Sequence, residues 1–150
     1  MKGNAMKTLG QIGLFAAAVA LIAAAAQAQS QKTPQQRMAS QEAQLAAHAK
    51  STNKECGASM AVTFDWSGVQ ENDLSTYSAS GWCDALLEGI RRVCTDAPGK
   101  DAVKEKIKSV TCGFGPDRAI SLKDGALDYN ISFKSVNDAD FAYEALENAL

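Results

Sequence analysis

The sequence has a single histidine, His48, and its four cysteines include no Cys-x-x-Cys pair. A serine nucleophile usually needs a histidine base beside it, and a thioredoxin-like redox site needs two closely spaced cysteines. The cysteines, at positions 56, 83, 94 and 112, also lack the gaps of about two to four residues that are typical of zinc motifs. We therefore expect no metal and no cofactor, and we interpret His48 as a solvated surface residue.

Other signatures of catalysis or nucleic-acid binding are missing as well. There is no Gly-x-Ser-x-Gly motif and no glycine-rich loop that could cradle a phosphate. The basic residues between Arg91 and Lys108 alternate with acidic ones and are not grouped with aromatics. Acidic residues outnumber basic ones by 17 to 15. Nucleic acid is therefore not expected as a partner.

Carboxylate pairs are the remaining source of acid–base chemistry. Asp65 lies close in sequence to Glu71 and Asp73, and such a pair can in principle serve a small hydrolase. These residues border a stretch rich in turn formers, so solvated loop charges are the simpler interpretation. We expect a non-enzymatic protein, with a hydrolase that uses carboxylates as the less favoured alternative.

The first 28 residues have the layout of a secretory signal peptide. Lys2 and Lys7 precede an apolar run over 12–26, and Ala26-Gln27-Ala28 supplies small residues for a signal peptidase. A retained membrane anchor is the alternative, but the run is shorter than the roughly 20 residues of a membrane-spanning helix, which favours cleavage. We predict cleavage after Ala28, a periplasmic or secreted protein, and no stable membrane span after cleavage.

Four cysteines in an exported chain predict two disulfides. A helix is expected from about Gly81 to Thr95, with Cys83 and Cys94 three turns apart and separated by roughly 16 Å along its axis. A disulfide tolerates only about 7 Å between Cα atoms, so these two cysteines cannot pair with each other. The preferred pairs are Cys56–Cys94 and Cys83–Cys112, and the alternative is Cys56–Cys83 with Cys94–Cys112.

Two segments frame this helix. Residues 29–54 are rich in Gln, Ala and Ser and have a thin apolar stripe, which predicts a partly helical, loosely attached tether. Residues 58–66 alternate strictly between apolar and polar, which predicts a half-buried strand. Met60, Val62, Phe64 and Trp66 share its inward face.

The rest of the chain predicts a short helix, three strands and a final helix. Asp124-Gly125 is a strong hairpin signal, and it would pair Leu122 with Leu127 and Ile120 with Tyr129. A loop at Gly115–Asp117 would place Cys112 opposite Ile120. The predicted fold of residues 55–150 is a small two-layer α+β domain. Its sheet has about four mainly antiparallel strands, in the order strand, helix, short helix, three-strand meander, helix, with two helices on one face.

The longest irregular stretch, 67–80, marks the expected binding surface. Trp66 and Trp82 flank it, Tyr77 lies within it, and aromatic side chains of this kind are favoured at interfaces. The proposed surface consists of Trp66, Glu71, Asp73, Tyr77 and Trp82. We predict a protein-interaction or accessory module for an unidentified envelope protein, with a small-ligand or glycan binder as the alternative.

Overall fold

The computed structural model describes residues 33–70, 78–132 and 139–150. In these ranges the chain forms four helices and four strands. The helices are α1 (Pro34–Cys56), α2 (Ala79–Val93), α3 (Ala97–Lys106) and α4 (Ala139–Ala149). The strands are β1 (Ala61–Asp65), β2 (Ser109–Phe114), β3 (Ala119–Lys123) and β4 (Ala126–Ile131). The predicted signal peptide, residues 1–28, lies outside the described residues.

The four strands form one mixed sheet in the order β1-β2-β4-β3. β1 pairs with β2 in parallel, β2 pairs with β4 in parallel, and only β3 and β4 are antiparallel. The predicted mainly antiparallel sheet and its three-strand meander are therefore wrong. The expected pairing of Cys112 with Ile120 is wrong for the same reason, because Cys112 lies opposite Tyr129.

Burial explains why β4 rather than β3 lies inside the sheet. Leu127, Tyr129 and Ile131 on β4 are completely buried. β3 offers only Ile120 and Leu122, which are half-buried, beside three exposed residues. The strand with more apolar surface to bury takes the central place, because that place removes more of the surface from water.

The hairpin between β3 and β4 follows the prediction. Asp124 and Gly125 both have positive φ, 52° and 85°, as a two-residue turn of this type requires. Leu122 pairs with Leu127, and Ile120 pairs with Tyr129. The local turn and the alternating pattern thus fix the register of this pair even though the strand order differs from the expected one.

One face of the sheet packs on helices, which gives the two-layer α+β architecture expected. The inward residues of the strands join those of α1, α2, α3 and α4 in one hydrophobic core. α2 contacts both α1 and α4, so α1 adds a third helix to the two that were expected. The opposite face, which carries Thr63, Asp65 and Asp128, is exposed.

α1 is an integral part of the domain rather than a loose tether. Residues 34–150 form one compact unit, and Leu45, Ala49, Thr52 and Cys56 form the buried face of α1. Only one of these is a large aliphatic side chain, which is why the apolar stripe looks thin in the sequence. Cys56 ends this helix and does not begin the first strand. None of the helices in the described ranges is both long and apolar enough to span a bilayer.

Two disulfides attach α2 to its neighbours. Cys56–Cys94 joins the end of α1 to the residue after α2, with a Cα–Cα distance of 5.2 Å. Cys83–Cys112 joins the first turns of α2 to β2, at 5.8 Å. This is the pairing preferred from the sequence. Each bond is expected to contribute about 2–4 kcal/mol of stability, largely by restricting the unfolded chain.

Gly89 lies where α2 and α4 approach each other closely. A methyl group at Gly89 would lie 2.7 Å from Cβ of Ala142 and 3.0 Å from the backbone nitrogen of Tyr143. Such distances do not occur between real atoms without movement of one helix. Glycine in the middle of α2 therefore reflects packing and not a requirement of the backbone.

We predict that Gly89→Ala destabilises the protein by about 1–3 kcal/mol, the usual cost of overpacking a core. Alanine in an unconstrained helix would instead stabilise it by about 0.5–1 kcal/mol. Chemical denaturation of the oxidised protein measures the difference. Adding Ala142→Gly should recover part of the loss, and a Gly89→Ala variant that is more stable than the parent would contradict this packing.

Candidate functional site

β1 is an edge strand, and half of its backbone hydrogen-bonding groups point away from the sheet. The N–H of Ala61 donates to the carbonyl of Lys108 at 3.0 Å, and the parallel register continues this pattern through Thr63 and Asp65. Because N–H and C=O groups alternate between the two sides of a strand, those of Val62 and Phe64 face the free edge.

Asn53 of α1 closes the beginning of this edge. Its Nδ2 donates to the carbonyl of Met60 at 2.9 Å, and its Oδ1 accepts from the N–H of Met60, also at 2.9 Å. The side-chain amide thus replaces one residue of a neighbouring strand. Beyond it, the outward groups of Val62 and Phe64 make no hydrogen bond within the described residues.

A groove of about 480 Å³ separates α1 from this edge. We call it the α1–β1 groove. Its size is within the range of about 300–1,000 Å³ that is typical of binding pockets. Apart from Asn53, small and apolar side chains predominate, with Lys50 as the charged residue. The lining residues are Ala46, Ala49, Lys50, Asn53, Ala58, Ser59, Met60 and Val62.

Trp66, just after β1, also contacts α1. Its indole Nε1 donates to Oε1 of Glu42 on α1 at 2.8 Å. Its ring packs against Phe64, with the ring centroids 4.5 Å apart. Two contacts between α1 and the β1 region, Asn53 with Met60 and Glu42 with Trp66, therefore mark the two ends of the free edge.

Trp66 and Trp82 belong to one aromatic cluster. Phe64 lies 5.5 Å from Phe114, and Trp82 lies 5.1 Å from Phe114, measured between ring centroids. Both tryptophans are half-buried and pack against the core. Glu71, Asp73 and Tyr77, the other members of the predicted binding surface, lie outside the described residues. The linking phenylalanines were not proposed as site residues, although their inward positions follow from the alternation of β1 and β2.

Asp65 has an environment that does not suit a general acid. Its exposed carboxylate accepts the backbone N–H of Ser67 at 2.9 Å, and this hydrogen bond lowers the pKa of Asp65. A general acid must hold its proton near neutral pH. Asp65 instead stays ionised and stabilises the turn that follows β1.

His48 connects α1 to α2, contrary to the prediction that it is simply solvated. Its Nδ1 lies 2.6 Å from Oδ1 of Asp84, although 41% of the side chain remains exposed. Arg91 also contacts Asp84 at 3.5 Å and donates to Thr52 Oγ1 at 3.0 Å. Thr52 and Arg91 thus bring polar contacts to a largely buried helix interface. His48 and Thr52 are one helical turn apart, and this spacing is the sequence signal that they share a face of α1.

In the part of the chain that the structure describes, the imidazole of this histidine–carboxylate pair makes no hydrogen bond to a serine, threonine or cysteine side chain, as nucleophilic catalysis would need. Thr52 Oγ1 donates to the backbone carbonyl of His48 instead, at 3.1 Å. All four cysteines form disulfides. Over the same ranges, no group of three or more His, Cys, Asp or Glu side chains is arranged to hold a metal ion.

Comparison with known proteins gives no relative for this chain. No protein-family model matches it, and no significant match is found among curated proteins or solved structures. The candidate site therefore rests on the geometry of this chain alone.

We predict that Asn53→Ala destabilises the protein by about 1–3 kcal/mol, because both backbone groups of Met60 lose their partner. Denaturant unfolding measures the change. Lys54→Ala, at the neighbouring exposed position of α1, is the matched control and should be near neutral. Equal stability of the two variants would show that the Asn53–Met60 contact does not hold α1 to the edge.

Asp65 is expected to titrate below an ordinary aspartate, because its ionised form accepts the Ser67 N–H. Its lowered pKa contributes stability above the pKa of the unfolded chain, and this contribution is lost as the pH falls through the folded value. A carboxyl NMR titration measures the midpoint, and Ser67→Pro, which removes the N–H donor, should raise it. A midpoint above the ordinary range would restore Asp65 as a candidate acid.

Proposed function

We propose that this protein is an exported, non-enzymatic interaction module that binds another protein through the α1–β1 groove and the free edge of β1. The observation that carries the proposal is the edge at Val62 and Phe64, whose outward backbone groups have no partner among the described residues. The edge lies next to a groove lined by small and apolar side chains together with Lys50, Asn53 and Ser59. An unprotected strand edge is a template for another chain, and folded proteins usually block such edges.

Export is part of the same proposal. Two disulfides are compatible with an oxidising compartment outside the cytoplasm, and the N-terminal segment has the layout of a signal peptide. The mature protein would then begin at Gln29, in the periplasm or outside the cell.

Several of the described residues that are capable of chemistry have structural uses, which favours a binding role over catalysis. Asp65 accepts a turn hydrogen bond, His48 and Asp84 connect two helices, and the cysteines form disulfides. A hydrolase would need at least one polar group with a raised pKa or an activated nucleophile.

A small-ligand or glycan binder is the second candidate, because Trp66 and Trp82 are half-buried members of one aromatic cluster. The indole N–H of Trp66 is already bonded to Glu42, which makes it less available to a sugar hydroxyl. Tryptophan fluorescence that changes with a cell-wall fragment would favour this candidate, and an unchanged spectrum across a panel of fragments would count against it.

We expect the mature protein to capture a specific polypeptide when it is cross-linked in its own envelope fraction. Ala46→Arg, which places a long charged side chain in the groove, should reduce capture by about tenfold or more. Arginine keeps a high helix propensity, so α1 should remain intact. Quantitative mass spectrometry of the captured protein is the measurement.

Ala47→Arg is the matched control, since Ala47 is exposed on α1 and does not line the groove. It should capture the partner as the parent does. Equal capture by the parent and Ala46→Arg would place the interaction elsewhere. Capture of no specific protein would favour the small-ligand candidate.

A further inference from the structure

We propose that the partner binds as an extended segment that adds a fifth strand to the free edge of β1 and places a carboxylate against Lys50. This inference rests on the proposed function and specifies how the partner binds. The partner is a different polypeptide, and the carboxylate belongs to an acidic side chain of the added segment.

The backbone of β1 selects an extended chain. The N–H and C=O groups of Val62 and Phe64 face the edge and have no partner among the described residues. They repeat every second residue, or about 6.6 Å along the strand. An extended peptide has hydrogen-bonding groups with the same repeat, as in other cases of strand addition.

The two ends of the edge define the length of the added strand. Asn53 already occupies the place of a neighbouring strand at Met60. At the other end, Trp66 is bonded to Glu42 of α1. An added strand therefore pairs along Val62 to Phe64, and a segment of about four or five residues is sufficient to cover the span.

The groove determines which side chains the segment carries. Ala46 and Ala49 are too small to fill the space between α1 and the edge, and Met60 and Val62 supply apolar surface. Lys50 is exposed and forms no ion pair within the described residues. No acidic residue lines the groove. Met60 and Val62 thus suit an apolar side chain of the added segment, and the charge of Lys50 is complementary to a carboxylate.

The same charge argues against a second copy of this chain as the occupant. Two β1 edges brought together would also bring together two grooves, each with Lys50 as its charged residue. Like charges at close range oppose association. A chain that carries a carboxylate at this position is favoured instead.

A phage-displayed library of random 12-residue peptides, selected on the oxidised protein, provides the probe. We expect enrichment of peptides that contain an acidic residue. On addition of a selected synthetic peptide, hydrogen exchange followed by NMR should slow by about tenfold or more at the amides of Val62 and Phe64. The amides of Thr63 and Asp65, which face β2 already, should change little.

Val62→Pro tests the backbone directly. Proline removes the outward N–H but no hydrogen bond to β2, and proline is tolerated on edge strands. The variant should bind selected peptides about tenfold or more weakly, whereas Val62→Thr, which keeps the N–H, should bind nearly as well as the parent. Lys50→Gln should also weaken binding. Binding should be unchanged when the C-terminus of the synthetic peptide is amidated, and a loss of binding would contradict the assignment of the carboxylate to an acidic side chain.

Several results would overturn strand addition. These are a library that yields no peptide, selected peptides that leave the Val62 and Phe64 amides unprotected, and a dimer in sedimentation experiments that is lost in Val62→Pro. If Val62→Pro does not fold, the exchange measurement on the parent protein still decides the question. Capture of the envelope partner that is lost in Ala46→Arg but kept in folded Val62→Pro would overturn strand addition and leave the proposed function intact.

Discussion

The attachment of α2 by two disulfides is the constraint on which the rest of the structure depends. Cys83–Cys112 fixes α2 to the centre of the sheet, and Cys56–Cys94 fixes α1 to the opposite end of α2. Gly89 then allows α4 to approach α2 closely. Because α2 contacts both α1 and α4, the position of α2 determines where α1 and α4 lie relative to the sheet.

The position of α1 follows from this attachment and creates the candidate site. The buried face of α1 is made largely of small residues, which bury little apolar surface. The disulfide and the polar contacts of His48, Thr52 and Arg91 therefore help to hold α1 against α2. The same helix makes side-chain hydrogen bonds to the β1 region through Asn53 and Glu42. Between these two bonds, the outward backbone groups of Val62 and Phe64 have no partner among the described residues. The small side chains of α1 are thus the physical reason for the groove.

The proposed binding role joins these features. Asp65, His48 and the four cysteines are engaged in holding the fold together, whereas the outward backbone groups of Val62 and Phe64 have no partner among the described residues. Hydrogen bonds from a partner would satisfy those groups, and the apolar lining would add burial of the partner's side chain.

The sequence by itself determined the features that depend on neighbouring residues. The alternation in β1, the helical stripe of α2, the positive-φ turn at Asp124-Gly125 and the pairing of Leu122 with Leu127 all follow from local periodicity and turn chemistry. The separation of Cys83 and Cys94 along one helix excluded a bond between them and narrowed the disulfide choices. Only the tertiary structure decided the strand order, the integration of α1 and the open edge of β1. Strand order depends on which strands compete best for burial across the whole sheet, and a helix interface of small residues leaves little signal in hydrophobicity. The free edge, for its part, exists only because no other described segment reaches Val62 and Phe64, which is a relation between distant parts of the chain.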